Sequence, residues 1–166
     1  DGQPEVKEHM HNVRIKIRDL SRNLNTTDFG DLIFSDMVKN LVVDLFGAKT
    51  KVHLYGLQII DDLEIYPEGF KKAVYLIIKE ALLNIDQHAQ AQQITVQIEQ
   101  EEQQFVVRVQ DNGIGFDNNR TRRGIGLRNI KNRAEDLGGS VSVVSEVGVG
   151  TSLTCVCPLG KEQTIA

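Results

Sequence analysis

The sequence has little of several residue types, and each shortage narrows the class of protein. Its 166 residues contain no tryptophan, three prolines and two cysteines, and 19 Lys and Arg stand against 23 Asp and Glu. No apolar run approaches about 18 residues and no basic-then-apolar leader opens the chain, which argues against a membrane span or a secretion signal. A net charge of −4 argues against a nucleic-acid coat, because phosphate binding needs clustered cations. We therefore expect a cytoplasmic globular chain outside the membrane, without a nucleic-acid partner.

The two cysteines offer little chemistry of their own. Cys155 and Cys157 alternate along a predicted strand, which places both thiols on one face of a sheet. A lone Cys-x-Cys pair supplies only half of a zinc site. We therefore interpret both residues as small apolar side chains of the core.

The first part of the chain is predicted to be helical. Pro4 is positioned to start a helix whose apolar residues recur at spacings of three and four: Val6, Met10, Val13, Ile17, Leu20 and Leu24. This heptad stripe fits one helix of a local bundle and a dimerisation seam equally well. A second helical stretch runs from about Met37 to Phe46, and Gly47 is expected to end it.

Strands and helices then alternate along the chain. Val52 and Leu54, with the run Leu57 to Ile59, favour a strand, and Pro67-Glu68 opens a long helix that reaches about Ala89. The remaining predicted elements are a hairpin of Ile94 to Glu99 and Phe105 to Gln110, a glycine-rich loop, a helix from Leu127 to Leu137 stopped by Gly138-Gly139, and strands Ser140 to Ser145 and Thr151 to Cys157.

Three polar residues form a line on the long helix. Glu80, Asn84 and His88 are spaced by four, so they fall within an arc of about 80° beside the apolar face. In that position they can face a cleft next to the sheet. Polar residues at this spacing are also common on ordinary solvated helices, so the line alone does not decide the matter.

Two glycine-rich segments add possible ligand contacts. Asp111-Asn112-Gly113-Ile114-Gly115-Phe116 follows a predicted strand, and its carboxylate could accept a hydrogen bond from an amino group such as that of adenine, although an ordinary turn fits as well. Gly124-Ile125-Gly126-Leu127 precedes a helix, whose free N–H groups suit phosphate. The loop between them carries three cations, which predicts a phosphate lid: Arg120, Arg122 and Arg123.

The order of these motifs is more specific than any one of them. With Gly148-Val149-Gly150-Thr151 as the last, they resemble the ATP-binding catalytic domain of sensor histidine kinases, most like the nitrate-sensor-like subfamily, from about Val52 to Leu159. The resemblance implies a two-layer α/β sandwich with a mixed, largely antiparallel sheet, preceded by one or two bundle helices. It also implies that residues 1–47 end a dimerisation and phosphotransfer region and that residues 48–166 form the ATP-binding domain.

The resemblance also implies roles for individual residues. Asn84 matches the asparagine that coordinates Mg²⁺, Asp111 the carboxylate that reads the adenine amino group, and Thr151 the threonine beside it. Glu80 matches an acidic position that acts as general base toward the accepting imidazole, or toward water in related ATPases. The other expected nucleotide contacts are His88, Gly113, Gly115, Gly124, Ile125, Gly126 and Leu127.

The sequence departs from the family at two points. Gln87 stands where the subfamily commonly has a basic residue, which leaves the phosphate contacts there open. The phosphoacceptor pattern, a His-Asp pair on an earlier helix, matches none of the four histidines: His9, His11, His53 and His88. We therefore expect the chain to be part of a longer protein, either soluble or membrane-anchored, whose acceptor histidine lies elsewhere.

The resemblance implies a function with identifiable partners. The domain would bind Mg·ATP and, in the intact protein, transfer the γ-phosphoryl group to a histidine for two-component signalling. A response-regulator receiver domain would be the downstream partner, and the N-terminal helices would form a homodimer. The alternatives are an ATPase switch module, a domain that kept the fold but lost nucleotide binding, and a serine kinase or anti-sigma factor, against which the heptad helix argues.

Overall fold

One face of a five-stranded sheet shares its core with the helices of the chain. The computed structural model describes residues 33–61, 65–117 and 124–160. Within these ranges the elements are, in order, α1 (Phe34–Phe46), β1 (Lys51–Tyr55), a 3-10 helix (Leu57–Asp61), α2 (Glu68–His88), β2 (Gln93–Glu101), β3 (Gln104–Asp111), α3 (Ile125–Asp136), β4 (Ser140–Glu146) and β5 (Gly150–Pro158). This arrangement confirms the predicted α/β architecture, and no helix in these ranges is long and apolar enough to cross a membrane.

The sheet has the order β1-β2-β3-β5-β4. β1 and β2 pair in parallel, and the other three pairings are antiparallel. The predicted mixed, largely antiparallel sheet is therefore confirmed. The single parallel pair follows from connectivity, because the 3-10 helix and α2 lie between β1 and β2 and supply the crossover that parallel strands need.

Across three paired strands, a row of apolar residues is followed by a row of polar residues on the same face of the sheet. Val109 of β3 pairs with Leu153 of β5, which pairs with Val143 of β4. Two residues further along, the same strands pair Asp111 with Thr151 and Thr151 with Ser145. Because side chains two residues apart share a face of the sheet, this polar row lies on the helix-facing side, at the end of the core.

The two cysteines lie in the core, as predicted. Cys155 and Cys157 are each 1% exposed, and their Sγ atoms are 3.7 Å apart on one face of β5. The opposite face of the sheet is mostly polar and carries an ion pair between Glu99 and Arg108. The two faces thus differ as expected for a sheet covered on one side.

The segment after β1 was predicted as a strand, and that prediction is wrong. Leu57–Asp61 forms a 3-10 helix in which Leu57 and Ile60, three residues apart, are both buried. Gly56 explains the change of direction: its φ is +70°, and a Cβ there would collide with the carbonyl oxygen of Ile98. A left-handed residue at this point ends the strand, which an apolar run alone does not reveal.

α1 belongs to the same core as the sheet. Phe34, Val38 and Leu41 are buried with residues of α2, and the Phe34 ring contacts Tyr75 edge to face. The predicted helix and its stop at Gly47, which has a φ of +53°, are confirmed. The predicted N-terminal heptad helix lies outside the described residues, and the division between residues 47 and 48 stays a prediction.

Gly56→Ala is expected to lower the free energy of unfolding by about 2 kcal/mol or more, through left-handed strain and the collision with Ile98. The matched control is Gly69→Ala in the first turn of α2, where a Cβ meets no atom within 4 Å. Urea unfolding followed by circular dichroism measures both. Equal stability of the two variants would contradict the assignment of Gly56 as the point that turns the chain.

Candidate functional site

A cavity of about 410 Å³ lies between α2, the end of β3 and the start of α3. This volume is within the usual range for small-molecule sites. Eight of the residues predicted to contact nucleotide line it: Asn84, His88, Asp111, Gly115, Gly124, Gly126, Leu127 and Thr151. Gly113, Ile125 and the predicted base Glu80 are not among the lining residues.

Asp111 provides a buried acceptor in the cavity. Its side chain is on the helix-facing side of β3 and only 6% exposed. The carboxylate accepts hydrogen bonds from the backbone N–H groups of Gly113, at 2.8 Å, and Thr151. Burial raises the pKa of Asp111, and these two hydrogen bonds oppose the rise. The site therefore holds a carboxyl group in place with acceptor capacity left for a ligand.

Ser145 completes the polar row, and sequence reasoning missed it. Its hydroxyl is 2.8 Å from that of Thr151 and accepts the backbone N–H of Phe116 at 2.9 Å. Phe116 lines the cavity, so Ser145 joins two of its walls. The available signal was the hairpin register, which places Ser145 opposite Thr151 across the Gly148 turn.

Gly113 and Gly115 let the loop after β3 pack closely against its neighbours. A Cβ at Gly113 would collide with the carbonyl of Ala89, which accepts the N–H of Ile114 at 2.8 Å. A Cβ at Gly115 would collide with the carbonyl of Glu146. Gly113 thus lies behind the cavity wall and Gly115 lines it.

The polar line on α2 meets the first turn of α3. A Cβ on Gly126 would lie 2.6 Å from Oε1 of Glu80 and 2.8 Å from Oδ1 of Asn84. Only glycine leaves room for both side chains at this distance. The structure therefore brings a carboxylate and an amide oxygen together at the N-terminus of a 12-residue helix.

That helix terminus suits an anion. Gly124 is the N-cap of α3, and no described side chain caps the helix there. Uncapped N–H groups and the helix dipole attract negative charge. Ile125 is 70% exposed and does not line the cavity, so this residue adds only its backbone N–H to the first turn of α3. The three predicted lid cations, Arg120, Arg122 and Arg123, lie outside the described residues.

Apolar side chains form most of the remaining wall. They come from α2, the sheet and the loop after β3: Ala81, Ile85, Ala89, Val109, Ile114, Phe116, Val143 and Leu153. Such a surface accommodates the flat faces of a ring system. Sequence reasoning did not select these residues, although strand alternation puts Val109, Val143 and Leu153 on the face of Asp111.

A buried cation lies next to the predicted base. Burial lowers the pKa of Lys79, the carboxylate of Glu80 opposes this effect, and the charge of Arg133 on α3 lowers the pKa further. Nε of Arg133 has no hydrogen-bond partner among the described residues. Both cations thus bring positive charge to the contact between α2 and α3, and neither was assigned a role from sequence.

The chain is similar to known ATPases and sensor kinases. Residues 69–161, more than half of the chain, match the family described as histidine kinase-, DNA gyrase B-, and HSP90-like ATPase. A sensor protein VraS of Staphylococcus saprophyticus is 27% identical over 164 residues, covering 98% of this chain and 46% of that protein. VraS of Staphylococcus epidermidis is 29% identical over 161 residues, covering 96% and 45%. The chain thus spans a little under half the length of these relatives.

Solved structures show the same fold. The blue-light activated histidine kinase of Erythrobacter litoralis aligns over 97% of this chain and 61% of its own, with a TM-score of 0.67 and 17% identity. Its histidine kinase domain aligns over 78% and 61%, with a TM-score of 0.64 and 19% identity. The predicted fold class and family resemblance are therefore confirmed. The chain belongs to the histidine kinase-, DNA gyrase B-, and HSP90-like ATPases, and it carries an ATP-binding catalytic domain of the histidine kinase type.

Proposed function

We propose that the cavity binds Mg·ATP and that the chain, within a longer protein, transfers the γ-phosphoryl group of ATP to a histidine. One observation carries the proposal: a buried carboxyl group and an uncapped helix N-terminus lie at the borders of the same apolar cavity. An adenine nucleotide is apolar on its ring faces, has an amino donor at one end and is anionic at the other. The cavity offers complementary groups at each of these positions.

The adenine is proposed to bind against the polar row of the sheet. Asp111 would accept a hydrogen bond from the exocyclic amino group, with Thr151 beside it. The apolar side chains of Ile85, Val109 and Leu153 would contact the ring. Charge-assisted hydrogen bonds in a dry site contribute more than neutral ones, which makes Asp111 the main contact for recognition of the base.

The phosphates are proposed to lie at the start of α3. The N–H groups after Gly124 would bind phosphate oxygens, with His88 at the open edge of α2. Mg²⁺ fits the oxygen donors found there, because Asn84 and Glu80 both reach Gly126 and the metal usually takes few protein ligands besides phosphate. When bound, Mg²⁺ would neutralise charge on the phosphates.

Glu80 is proposed to act as general base. An imidazole nitrogen attacks the γ-phosphorus, the bond from that phosphorus to the bridging oxygen breaks, and ADP leaves. The carboxylate of Glu80 takes the imidazole proton as the new bond forms. Its place against the first turn of α3 puts it beside the proposed phosphate position.

The intact protein is proposed to act in two-component signalling. The similarity to proteins named as sensors supports a response-regulator receiver domain as the partner that receives the phosphoryl group. A homodimer through the N-terminal helices is proposed from the heptad spacing between Val6 and Leu24.

Asp111→Asn is expected to weaken Mg·ADP binding at least about tenfold, because an amide donor would replace an acceptor opposite the adenine amino group. Calorimetric titration of the chain measures this loss, and Asp136→Asn, at the exposed end of α3, is the charge-matched control. Wild-type affinity in Asp111→Asn would contradict the proposed adenine position.

The same variant tests the effect of burial on Asp111. A pKa raised in the folded state means that folding favours the protonated carboxyl, so this group's contribution to stability falls as pH rises from its unfolded pKa through its folded pKa. Asp111→Asn removes this dependence. The nucleotide-free variant is therefore expected to be at least as stable as wild type at pH 7, so lost binding would not reflect unfolding.

Gly126→Ala is expected to reduce the enhancement of ADP affinity by Mg²⁺ at least about fivefold, because the methyl group displaces Glu80 and Asn84. Gly124→Ala, two residues away with nothing within 4 Å of a Cβ, is the control and should retain that enhancement. Titration of ADP with and without Mg²⁺ gives the comparison. If both variants lose the same share of the Mg²⁺ enhancement, these positions would require glycine for its backbone freedom and not for the room that Glu80 and Asn84 need.

Glu80→Gln, made in a longer chain that includes the acceptor histidine, is expected to lower phosphohistidine formation about 10²- to 10⁴-fold while ADP binding changes little. Labelled ATP and acid treatment measure the product, with Glu101→Gln at the exposed end of β2 as control. Full phosphorylation of Glu80→Gln would exclude the general-base role. Steady phosphate release from wild type with no phosphoprotein would instead indicate the ATPase switch.

A further inference from the structure

The hydroxyl of Ser145 makes three polar contacts. It is 2.9 Å from the backbone nitrogen of Phe116, 2.8 Å from Oγ1 of Thr151 and 3.2 Å from the carbonyl oxygen of Gly150. Ser145 is half-buried on β4, on the same face of the sheet as Thr151 and Asp111. It does not line the cavity, whereas Phe116, Thr151 and Asp111 do.

These partners determine where the hydroxyl protons lie. A serine hydroxyl has one proton to donate and two lone pairs that accept. The carbonyl of Gly150 can only accept, so it receives the Ser145 proton, and the N–H of Phe116 can only donate, so it uses one lone pair. Since Ser145 has already donated its one proton, the 2.8 Å contact with Thr151 takes its proton from the Thr151 hydroxyl, which donates to the second lone pair.

In this arrangement only hydrogen-bond acceptors of the polar row face the base. With its proton directed to Ser145, Thr151 presents only the lone pairs of Oγ1 to the cavity, and the carboxylate of Asp111 beside it also accepts. A 6-amino purine offers N–H donors at this edge. A 6-oxo purine offers an oxygen at the same position, which would face acceptors and find no donor.

We propose that Ser145 is a positioning residue for base selection: it holds the Thr151 proton away from the cavity, so that the site accepts 6-amino purine nucleotides and rejects 6-oxo purine nucleotides. The inference rests on the proposed nucleotide site and adds a residue that does not touch the ligand. Without the Ser145 acceptor, the Thr151 hydroxyl turns and donates to a 6-oxo group. A site that selects 6-amino purines through its acceptors would then bind 6-oxo purines as well.

Ser145 also secures the opposite wall. Phe116 lies in the loop after β3, and its N–H donates to the Ser145 hydroxyl. The N–H of Gly148, in the turn after β4, donates to the carbonyl oxygen of Ile114 at 2.8 Å, which is a second hydrogen bond between this loop and the β4–β5 hairpin. Loss of the Ser145 hydroxyl therefore leaves the Gly148–Ile114 hydrogen bond in place, and we expect a larger effect on base selectivity than on folding.

The experiment compares Mg·ADP with Mg·IDP, whose bases differ at position 6 and at the protonation of N1. Calorimetric titration of wild type is expected to show a clear preference for ADP, and Ser145→Ala to reduce that preference at least about fivefold, the size expected for one hydrogen bond. Ser142→Ala is the matched control, because it removes a hydroxyl from the same strand on the opposite face of the sheet.

A double-variant cycle separates positioning from general loosening of the site. In a Thr151→Val background no hydroxyl remains to turn, so adding Ser145→Ala should leave the ADP to IDP ratio unchanged. A ratio that falls equally in both backgrounds would overturn the proposed route through Thr151. If Ser145→Ala does not fold, Ser145→Cys, with a weakly accepting thiol of similar shape, takes its place with the same expected direction.

The outcomes distinguish this inference from the function on which it rests. If wild type binds ADP in preference to IDP and Ser145→Ala keeps that preference, the role of Ser145 is overturned and the nucleotide site stands. If wild type binds ADP and IDP equally, selection by the polar row is overturned. If wild type binds neither nucleotide, the proposed function fails and the inference fails with it.

Discussion

The pairing register of β3, β5 and β4 is the constraint on which the site depends. It aligns Asp111, Thr151 and Ser145 in one row directly beyond the apolar row of Val109 and Leu153. A slip of one residue would turn the carboxylate to the solvated face and bury a polar neighbour instead. The same alternation that builds the core therefore also places the residues proposed to read the base, so fold stability and site geometry share one cause.

The contact between α2 and α3 supplies the other half of the site. Glu80 and Asn84 extend from α2 to the backbone of Gly126, and the lack of a side chain there leaves room for both. Lys79 adds positive charge beside Glu80, and Arg133 acts on Lys79 by lowering its pKa. The missing Cβ at Gly126 therefore gives the start of α3 room for a carboxylate beside the proposed phosphate position.

Much of this could be predicted because local patterns and packing agree. The strand-like run from Phe105 to Gln110 predicted β3, and four-residue spacing placed Glu80 and Asn84 on one side of α2. The prediction of a strand at Leu57 to Ile59 was wrong because the apolar residues themselves do not indicate that Gly56 adopts a left-handed conformation. Ser145 was missed for a different reason: a serine in a strand has no distinguishing signal until its partner across the hairpin is known.

The parallel pairing of β1 with β2 has a consequence for how the chain folds. The hairpins β2–β3 and β4–β5 close over short turns, so their contacts cost little loop entropy. β1 must instead wait for the long crossover through α2 to close before its pairing gains any stability. Ser145 and Thr151 can thus meet early within the β4–β5 hairpin, whereas Asp111 joins them only when β3 pairs with β5 across a similarly long segment that contains α3. The cavity is complete only after this pairing and the docking of α2, so the site depends on two long closures while each hairpin depends on none.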